Sequence, residues 1–241
     1  MTIDSSAAQA ASDIIDRTMP VDTANSQTLT FRHACARDAA ACASLVFASG
    51  THEFEYFLGV SPEQCIAFLE KAFFSARGRF SWRRHEVAVN AQGEIVAVLA
   101  LHDGRHLLAD DPHIVWAILC HFGLMRLVPI LLRGLVLETE LPKPKRVQTL
   151  LAHCATAPDA RGMGVFTALF EYVRQARLDG SDEGNRELVL DVLVSNTRAA
   201  ALYRRLGFIP LSRRRACSRF LPAELESVRM RLDFNESQNS G

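Results

Sequence analysis

The sequence predicts an α/β domain built on a mixed sheet, and three observations carry that prediction. Residues 147–171 have the order strand, glycine turn, helix, with an apolar run, then Pro158, two glycines and a helical apolar pattern. Residues 187–194 form the next strand, which should run parallel to the first because a helix connects them. A hairpin at residues 86–101 adds antiparallel strands. The sheet should therefore combine a parallel strand pair with antiparallel strands.

The elements before the hairpin are predicted from alternating apolar residues and from residues that begin or end helices. Residues 28–34 alternate as a strand does, and a helix that ends at Gly50 follows. A second helix begins after Ser61 and is closed by Gly78. Between the two helices, residues 51–60 are predicted to form a surface turn anchored by aromatic side chains.

The most apolar part of the chain, residues 110–138, lies within an insertion at about residues 104–146. Histidine and arginine interrupt the run, so we predict no integral membrane segment, and Pro129 is expected to start a second short helix. Two helices that cover one side of the sheet, or that form a homodimer contact, are the preferred interpretation. A lid over an apolar acceptor is the alternative.

The remaining chain predicts one more helix, two closing strands and a tail at each end. Asn196 offers a helix start, and Gly207 ends that helix. The domain should span residues 28–234. Polar and small residues predict a mobile N-terminal tail at residues 1–27 and a C-terminal tail at residues 235–241.

Composition limits the function classes. The chain has 241 residues, 49% of them hydrophobic, and 27 acidic side chains balance 27 basic ones, so no global field favours nucleic acid. The six cysteines lack a paired spacing and are expected to be reduced. The first residues lack the features of a secretory signal, which makes a cytoplasmic location the default expectation.

The glycine turn is a candidate anion site. Free N–H groups at a helix start, with the helix dipole behind them, attract phosphate, and Arg161 could add a charged contact. Taken alone, the turn could equally serve helix packing. The six residues concerned are Arg161, Gly162, Met163, Gly164, Val165 and Phe166.

A second motif gives this turn a family context. Asn196 precedes a helix that carries Leu202-Tyr203 and is followed by Gly207-Phe208. Together the two motifs resemble the GCN5-related N-acetyltransferase (GNAT) superfamily. Phe166 is the departure, because the family usually has glycine or alanine there.

The resemblance implies a fold and a co-substrate. The fold is a single GNAT-like domain with a mixed, mostly antiparallel sheet, a splayed central parallel strand pair, helices on both faces and the inserted apolar helical segment. Acetyl-CoA is the implied co-substrate, with its pyrophosphate at residues 161–166, its pantetheine arm on the backbone of Cys154, Ala155 and Thr156, and Asn196 as a further residue that binds it. No metal is implied.

The chemistry of acetyl transfer needs an acid and a base. Tyr203 is the candidate acid because a phenol stays protonated at neutral pH. His153 is the candidate base, and its alternative interpretation is a structural core residue. Glu53 and Glu55 are rival bases acting through water. Cys154 raises a two-step route through an acetyl-cysteine.

The leading hypothesis is an N-acetyltransferase that moves acetyl from acetyl-CoA to a primary amine of a small molecule or peptide, by direct attack in a ternary complex. Glu53, Glu55 and Tyr56 are the candidate acceptor-binding residues, since carboxylates and aromatic faces attract ammonium groups. The alternatives are an acyl-CoA-binding regulatory module without turnover, and an interaction protein that dimerises through the apolar insertion.

Overall fold

The computed structural model of the chain describes residues 28–105, 107–179, 187–212 and 219–233. Both predicted tails lie outside these residues. The core elements of the predicted domain lie within them.

The described residues form one seven-stranded sheet, in the order β1-β2-β3-β4-β5-β7-β6. Its only parallel neighbours among these strands are β4 and β5, and every other pair is antiparallel. The predicted mixed, mostly antiparallel sheet with a central parallel pair is confirmed. The strands are β1 (Thr30–His33), β2 (His85–Val89), β3 (Ile95–Asp103), β4 (Gln148–Thr156), β5 (Glu187–Leu193), β6 (Ile209–Pro210) and β7 (Ser227–Asp233).

Helices lie on both faces of this sheet. The α-helices of the described chain are α1 (Ala39–Ser49), α2 (Thr51–Leu58), α3 (Pro62–Phe74), α4 (Leu107–Phe122), α5 (Leu124–Glu140), α6 (Val165–Asp179) and α7 (Thr197–Arg205). Short 3₁₀ turns precede α1, β2, α6 and β7. The crossover from β4 through α6 to β5 is the one that the glycine turn predicts.

Two apolar cores lie on opposite faces of the sheet, and side-chain alternation assigns each residue to one of them. Val87 and Val98 belong to the core shared with α1 to α5, which we call the insertion-side core. Ala88 and Ala97, their chain neighbours, belong to the core shared with α6 and α7, which we call the turn-side core. Phe68 and Phe170 are fully buried, one in each core.

The surface turn predicted for residues 51–60 is wrong, because Thr51–Leu58 form the short helix α2. Phe54 and Leu58 stand four residues apart, so both fall on one helix face, and both are buried. Gly59 ends the helix with a φ of +65°, where a side chain would be strained and would overlap the Arg133 guanidinium. The pattern is too short for periodicity to separate a helix from a turn.

The insertion consists of two helices, but they do not divide at Pro129. The break is at Gly123, whose φ of +76° separates α4 from α5, and Pro129 lies inside α5. Arg133 on α5 donates from Nε to the Phe57 carbonyl at 3.0 Å and from Nη2 to the Leu58 carbonyl at 2.8 Å. It thereby satisfies carbonyls that the end of α2 leaves open.

An apolar stripe on α5 faces away from the body of the domain. Its members are between 58% and 68% exposed and recur at three- and four-residue steps, namely Leu124, Val128, Leu132 and Leu135. None of the described helices combines the length and apolarity that crossing a membrane requires. The homodimer contact stays a prediction, because no second copy of the chain is present.

Candidate active site

The central parallel strands separate towards their carboxyl ends. β4 pairs with β5 through Gln148, Thr149 and Leu150, and no pairing between the two strands continues beyond Leu150. The rest of β5 stays paired with β7 along its whole length. A gap therefore opens between the second half of β4 and the end of β5, and residues 151–156 form one of its walls.

A β-bulge stands at this gap. On β3, Val98 pairs with Ala155 and Ala100 pairs with Ala152, so Leu99 alone faces two residues of β4, His153 and Cys154. His153 has a φ of +52°, the only positive φ of a non-glycine residue in the described chain. A left-handed backbone at histidine is uncommon, and strained backbone positions of this kind cluster at functional sites.

At the bulge, the consecutive side chains of His153 and Cys154 lie on opposite faces of the sheet. The His153 ring stacks on Phe80 with centroids 5.3 Å apart and lies 6.1 Å from the Phe54 ring, both members of the insertion-side core. Cys154 packs against the turn-side core, which contains Tyr203. His153 and Tyr203, the candidate base and the candidate acid, therefore lie on opposite faces of β4.

His153 belongs to a group of three histidines. Its Nδ1 lies 3.0 Å from Nε2 of His85, and the two rings are stacked. Nδ1 of His85 lies 2.8 Å from the carbonyl oxygen of Ser81. His102 meets the His153 ring edge-on at 5.5 Å, and its Nδ1 is buried without a hydrogen-bond partner in the described structure.

Burial keeps these histidines neutral. Burial lowers the pKa of His85 to about 4 and that of His102 to about 3. Burial, followed by the nearby His85, His102 and Arg79, also lowers the pKa of His153 well below its usual value. An imidazole that is neutral at pH 7 has a lone pair to offer, so His153 meets the first requirement of a base.

The same pKa shifts predict acid sensitivity. The unfolded chain binds protons on histidine below about pH 6.5 while the folded chain does not, so stability should fall as the pH drops from about 6.5 towards 4. His85 alone, with its pKa lowered to about 4, would contribute on the order of 3 kcal/mol to this loss. Denaturant unfolding between pH 7.5 and 4.5 measures how steeply the free energy of unfolding falls with pH. His102→Phe should make this fall less steep, and an unchanged pH dependence would contradict its assignment to the buried histidines.

Tyr203 is buried, with 8% of its surface exposed, and its phenol contacts Cys154. Burial, with the hydrogen bond that its hydroxyl donates to Cys154 Sγ, raises the pKa of Tyr203 well above its usual value. The phenol is therefore fully protonated at neutral pH. Its hydroxyl is directed at β4 beside the gap, where an acid for a departing thiolate would stand.

Cys154 is a protonated thiol. Burial raises its pKa to about 12, and its Sγ lies 3.6 Å from the Ala152 carbonyl oxygen, to which the thiol donates. A thiol held in this way supplies almost no thiolate at neutral pH, and the thiolate is the nucleophilic form.

The glycine turn between β4 and α6 leaves backbone donors open. Gly162 and Gly164 have φ values of +82° and +79°, and a Cβ built on either meets no atom within 4 Å. The first hydrogen bond of α6 runs from the Ala168 N–H to the Gly164 carbonyl at 2.9 Å, so the preceding N–H groups have no acceptor within the helix. Arg161 is exposed and donates from Nε to the Thr156 carbonyl at 3.1 Å, which ties the turn to the end of β4.

Phe166 departs from the family motif without filling the turn. Its side chain is buried, with 8% exposed, and its ring meets that of Tyr203 edge-on at 6.2 Å. The phenyl group therefore points into the turn-side core, and the space outside the glycines stays open.

Asn196 is the N-cap of α7, and its Oδ1 accepts from the Ala199 N–H at 3.1 Å. The side chain is exposed, and the capping contact engages its oxygen rather than its amide nitrogen.

The candidate acceptor-binding residues all lie on α2, and each makes different contacts. Glu53 is partly buried, its Oε2 has no hydrogen-bond partner in the described structure, and burial raises its pKa. Glu55 lies 3.9 Å from the His52 ring. The Tyr56 hydroxyl donates to the Phe220 carbonyl at 3.3 Å. Phe54, which stands between Glu53 and Glu55 in the sequence, links α2 to His153 through a ring contact.

Sequence reasoning missed His85 and the aromatic wall of Phe54 and Phe80. His85 begins β2 and is 68 residues from His153, so only the fold brings the rings together. A bulge cannot be read from alternation in β4, because residues 147–156 are apolar on both faces. The one available signal was that β2, β3 and β4 each carry a buried or partly buried histidine.

Comparison with known proteins agrees with this geometry. A family model described as the acetyltransferase (GNAT) domain matches residues 128–210. No curated protein matches the chain in sequence. In the described part of the chain, no group of three or more histidine, cysteine, aspartate or glutamate side chains is arranged so that it could hold a metal ion.

Solved acetyltransferase structures share the fold. An N-acetyltransferase from Staphylococcus aureus Mu50 is 17% identical, with a TM-score of 0.62 over 84% of this chain and 99% of that one. Another acetyltransferase is 19% identical, with a TM-score of 0.59 over 84% and 98%. An agmatine N-acetyltransferase is 20% identical, with a TM-score of 0.50 over 86% and 99%. At these identities the likeness establishes the architecture.

Proposed function

We propose that this chain is a member of the GCN5-related N-acetyltransferase (GNAT) superfamily and transfers an acetyl group from acetyl-CoA to a primary amine. One observation carries the proposal: an open glycine turn and a buried phenol lie beside the gap between β4 and β5, and β4 itself carries a neutral imidazole, that of His153, on the opposite face of the sheet from the phenol. The turn would bind the pyrophosphate, and the backbone of residues 154–156 would bind the pantetheine arm.

An acceptor that binds as an ammonium ion first releases a proton to solvent, and the reaction of the resulting neutral amine then needs two further proton transfers. The amine nitrogen attacks the thioester carbonyl carbon, a C–N bond forms, and the carbonyl electron pair moves onto oxygen, where a β4 backbone N–H would stabilise it. The positively charged nitrogen then loses a proton to His153. Collapse of the intermediate breaks the C–S bond, and the CoA thiolate takes a proton from Tyr203. Exchange with solvent returns both side chains to their starting states.

Direct transfer is preferred to an acetyl-cysteine route. The two-step route needs the Cys154 thiolate as nucleophile, and the pKa of about 12 leaves almost none at neutral pH. The positions of the acid and the base also suit a ternary complex. With Tyr203 and His153 on opposite faces of the sheet, the thioester and the amine would approach the bulge from different sides.

The acceptor is proposed to be cationic before it reacts. Glu53 offers a partly buried carboxylate oxygen without a partner, and an ammonium group would satisfy it. Phe54, the next residue along α2, contacts His153, so a bound amine near this helix is also near the base. One structural neighbour of 20% identity is an agmatine N-acetyltransferase, which acts on a cationic amine.

Binding of acetyl-CoA tests the function. Ligand at a hundredfold excess over its Kd should stabilise the protein by about 2.7 kcal/mol, measured as a thermal shift. Gly164→Ala adds a Cβ where the phosphate would lie and should weaken the affinity on the order of tenfold, since a charge-assisted hydrogen bond is lost or lengthened. Thiol release with a panel of amines then measures turnover.

Gly93→Ala is the matched control for this experiment. Gly93 has a φ of +82° and open space around its Cβ position, as Gly164 does, but it lies in the β2–β3 turn. Both substitutions should cost about 1 kcal/mol of stability for the left-handed backbone. Only Gly164→Ala should change the response to acetyl-CoA. Equal responses in the two variants, or none in the native protein, would refute the CoA site.

A further inference from the structure

Two hydrogen bonds determine which nitrogen of His153 carries its proton. The Ser81 carbonyl can only accept, so the His85 nitrogen 2.8 Å away, Nδ1, must be the protonated one. His85 is fully buried and neutral, which leaves a lone pair on its Nε2. That lone pair faces Nδ1 of His153 at 3.0 Å, so His153 Nδ1 donates to it. A neutral His153 then has its own lone pair on Nε2.

The surroundings of the pair favour this arrangement over its reverse. A proton on both nitrogens of His85 would place an unpaired charge against Phe73, whose ring lies 4.7 Å away, and beside the neighbouring His102. Ser81 is itself buried, with 1% exposed, and precedes the 3₁₀ turn Trp82–Arg84. The carbonyl that begins the chain of hydrogen bonds is therefore held by the fold.

We propose that His85, anchored by the Ser81 carbonyl, is a positioning residue that holds His153 in the Nδ1–H tautomer and so keeps the Nε2 lone pair available to the acceptor amine. The left-handed backbone of His153 at the bulge brings its Nδ1 to His85 and turns the opposite nitrogen away from the pair. His85 accepts a hydrogen bond and does not touch the substrate. The inference rests on the proposed function for its catalytic meaning, while the tautomer itself does not.

The experiment measures the tautomer and the turnover separately. A long-range proton–nitrogen correlation spectrum of nitrogen-labelled protein reports which ring nitrogen of His153 is protonated, and His153→Asn assigns the signals. We expect the Nδ1–H form in the native protein. His85→Phe keeps an aromatic ring but offers no acceptor, so His153 should shift towards the Nε2–H form.

Turnover should follow the tautomer. In His85→Phe we expect kcat to fall on the order of a hundredfold, with the KM for acetyl-CoA and its thermal shift unchanged, because a wrong tautomer disables the base without disturbing the CoA turn. His85→Gln can accept from His153 and donate to Ser81, so it should restore both the Nδ1–H signal and most of kcat. His33→Gln, an exposed histidine on β1, is the control and should match the native enzyme.

The outcomes separate the two hypotheses. An Nε2–H form in the native protein, or an unchanged tautomer in a folded His85→Phe variant, would overturn the positioning role whatever the activity is. Full kcat in His85→Phe despite the expected tautomer shift would also overturn it. If the native protein neither binds acetyl-CoA nor turns over, the proposed function fails, and the spectrum still decides the tautomer.

Discussion

Replacement of His153 by asparagine is expected to lower kcat for acetyl transfer by about 10²–10⁴-fold, the usual contribution of a positioned base. Asparagine tolerates the left-handed backbone that His153 adopts, with its φ of +52°, so the bulge should survive. The variant should bind acetyl-CoA normally, because the glycine turn is untouched. Steady-state kinetics with saturating acetyl-CoA measures the effect.

The pH profile identifies the cause of that loss. Because the pKa of His153 is lowered, the base form persists below pH 6.5, and kcat should fall only as the pH drops through this lowered pKa. That acid limb should vanish in His153→Asn. His153→Gly, which also suits the backbone, should regain turnover when imidazole is added. A native profile in His153→Asn would leave solvent, Glu53 or Glu55 as the proton acceptor.

Replacement of Tyr203 by phenylalanine is expected to lower kcat by a similar factor, about 10²–10⁴-fold, since the departing thiolate loses its proton donor. The ring would still pack against Phe166 and Phe208 in the turn-side core, so folding should be preserved. The KM for acetyl-CoA should change little. The test is thiol release under saturating conditions, compared across CoA esters with leaving thiols of different acidity.

Tyr172→Phe is the matched control for this variant. Tyr172 lies on α6 and stacks on Phe31 at 5.5 Å, on the same side of the sheet, and has no proposed catalytic role. It should retain native turnover. A more acidic leaving thiol should also reduce the difference in kcat between Tyr203→Phe and the native enzyme. If the difference in kcat is the same for all leaving thiols, Tyr203 is a structural residue.

Local sequence patterns predicted the parts of the fold whose signals are local. Turn residues, caps and periodicity within a few positions determine three elements. These are the hairpin, the strand–turn–helix at the glycines and the helix that Asn196 caps. The parallel order of β4 and β5 followed from the connecting helix. These features position the proposed CoA turn and Tyr203, which are also the positions that the family motifs cover.

The acceptor side could not be predicted in the same way, for physical reasons. Helix α2 depends on burying Phe54 and Leu58 against distant elements, and its own sequence is too short to indicate a helix. The place of Pro129 inside α5 depends on Gly123 taking a left-handed conformation that ends α4. The approach of His85 to His153 depends on a strand pairing and a bulge, both of which are tertiary features.

The Ser81 carbonyl sets the order of events at the end of a catalytic cycle. An amide carbonyl is too weak a base to take a proton, so the hydrogen-bonded row from His153 through His85 ends at Ser81 without an exit. Under the proposed chemistry, a proton that reaches His153 Nε2 must leave by the side from which the amine came. The acetylated product covers that side while it is bound, so product release should precede deprotonation, and external buffer should accelerate only the later step.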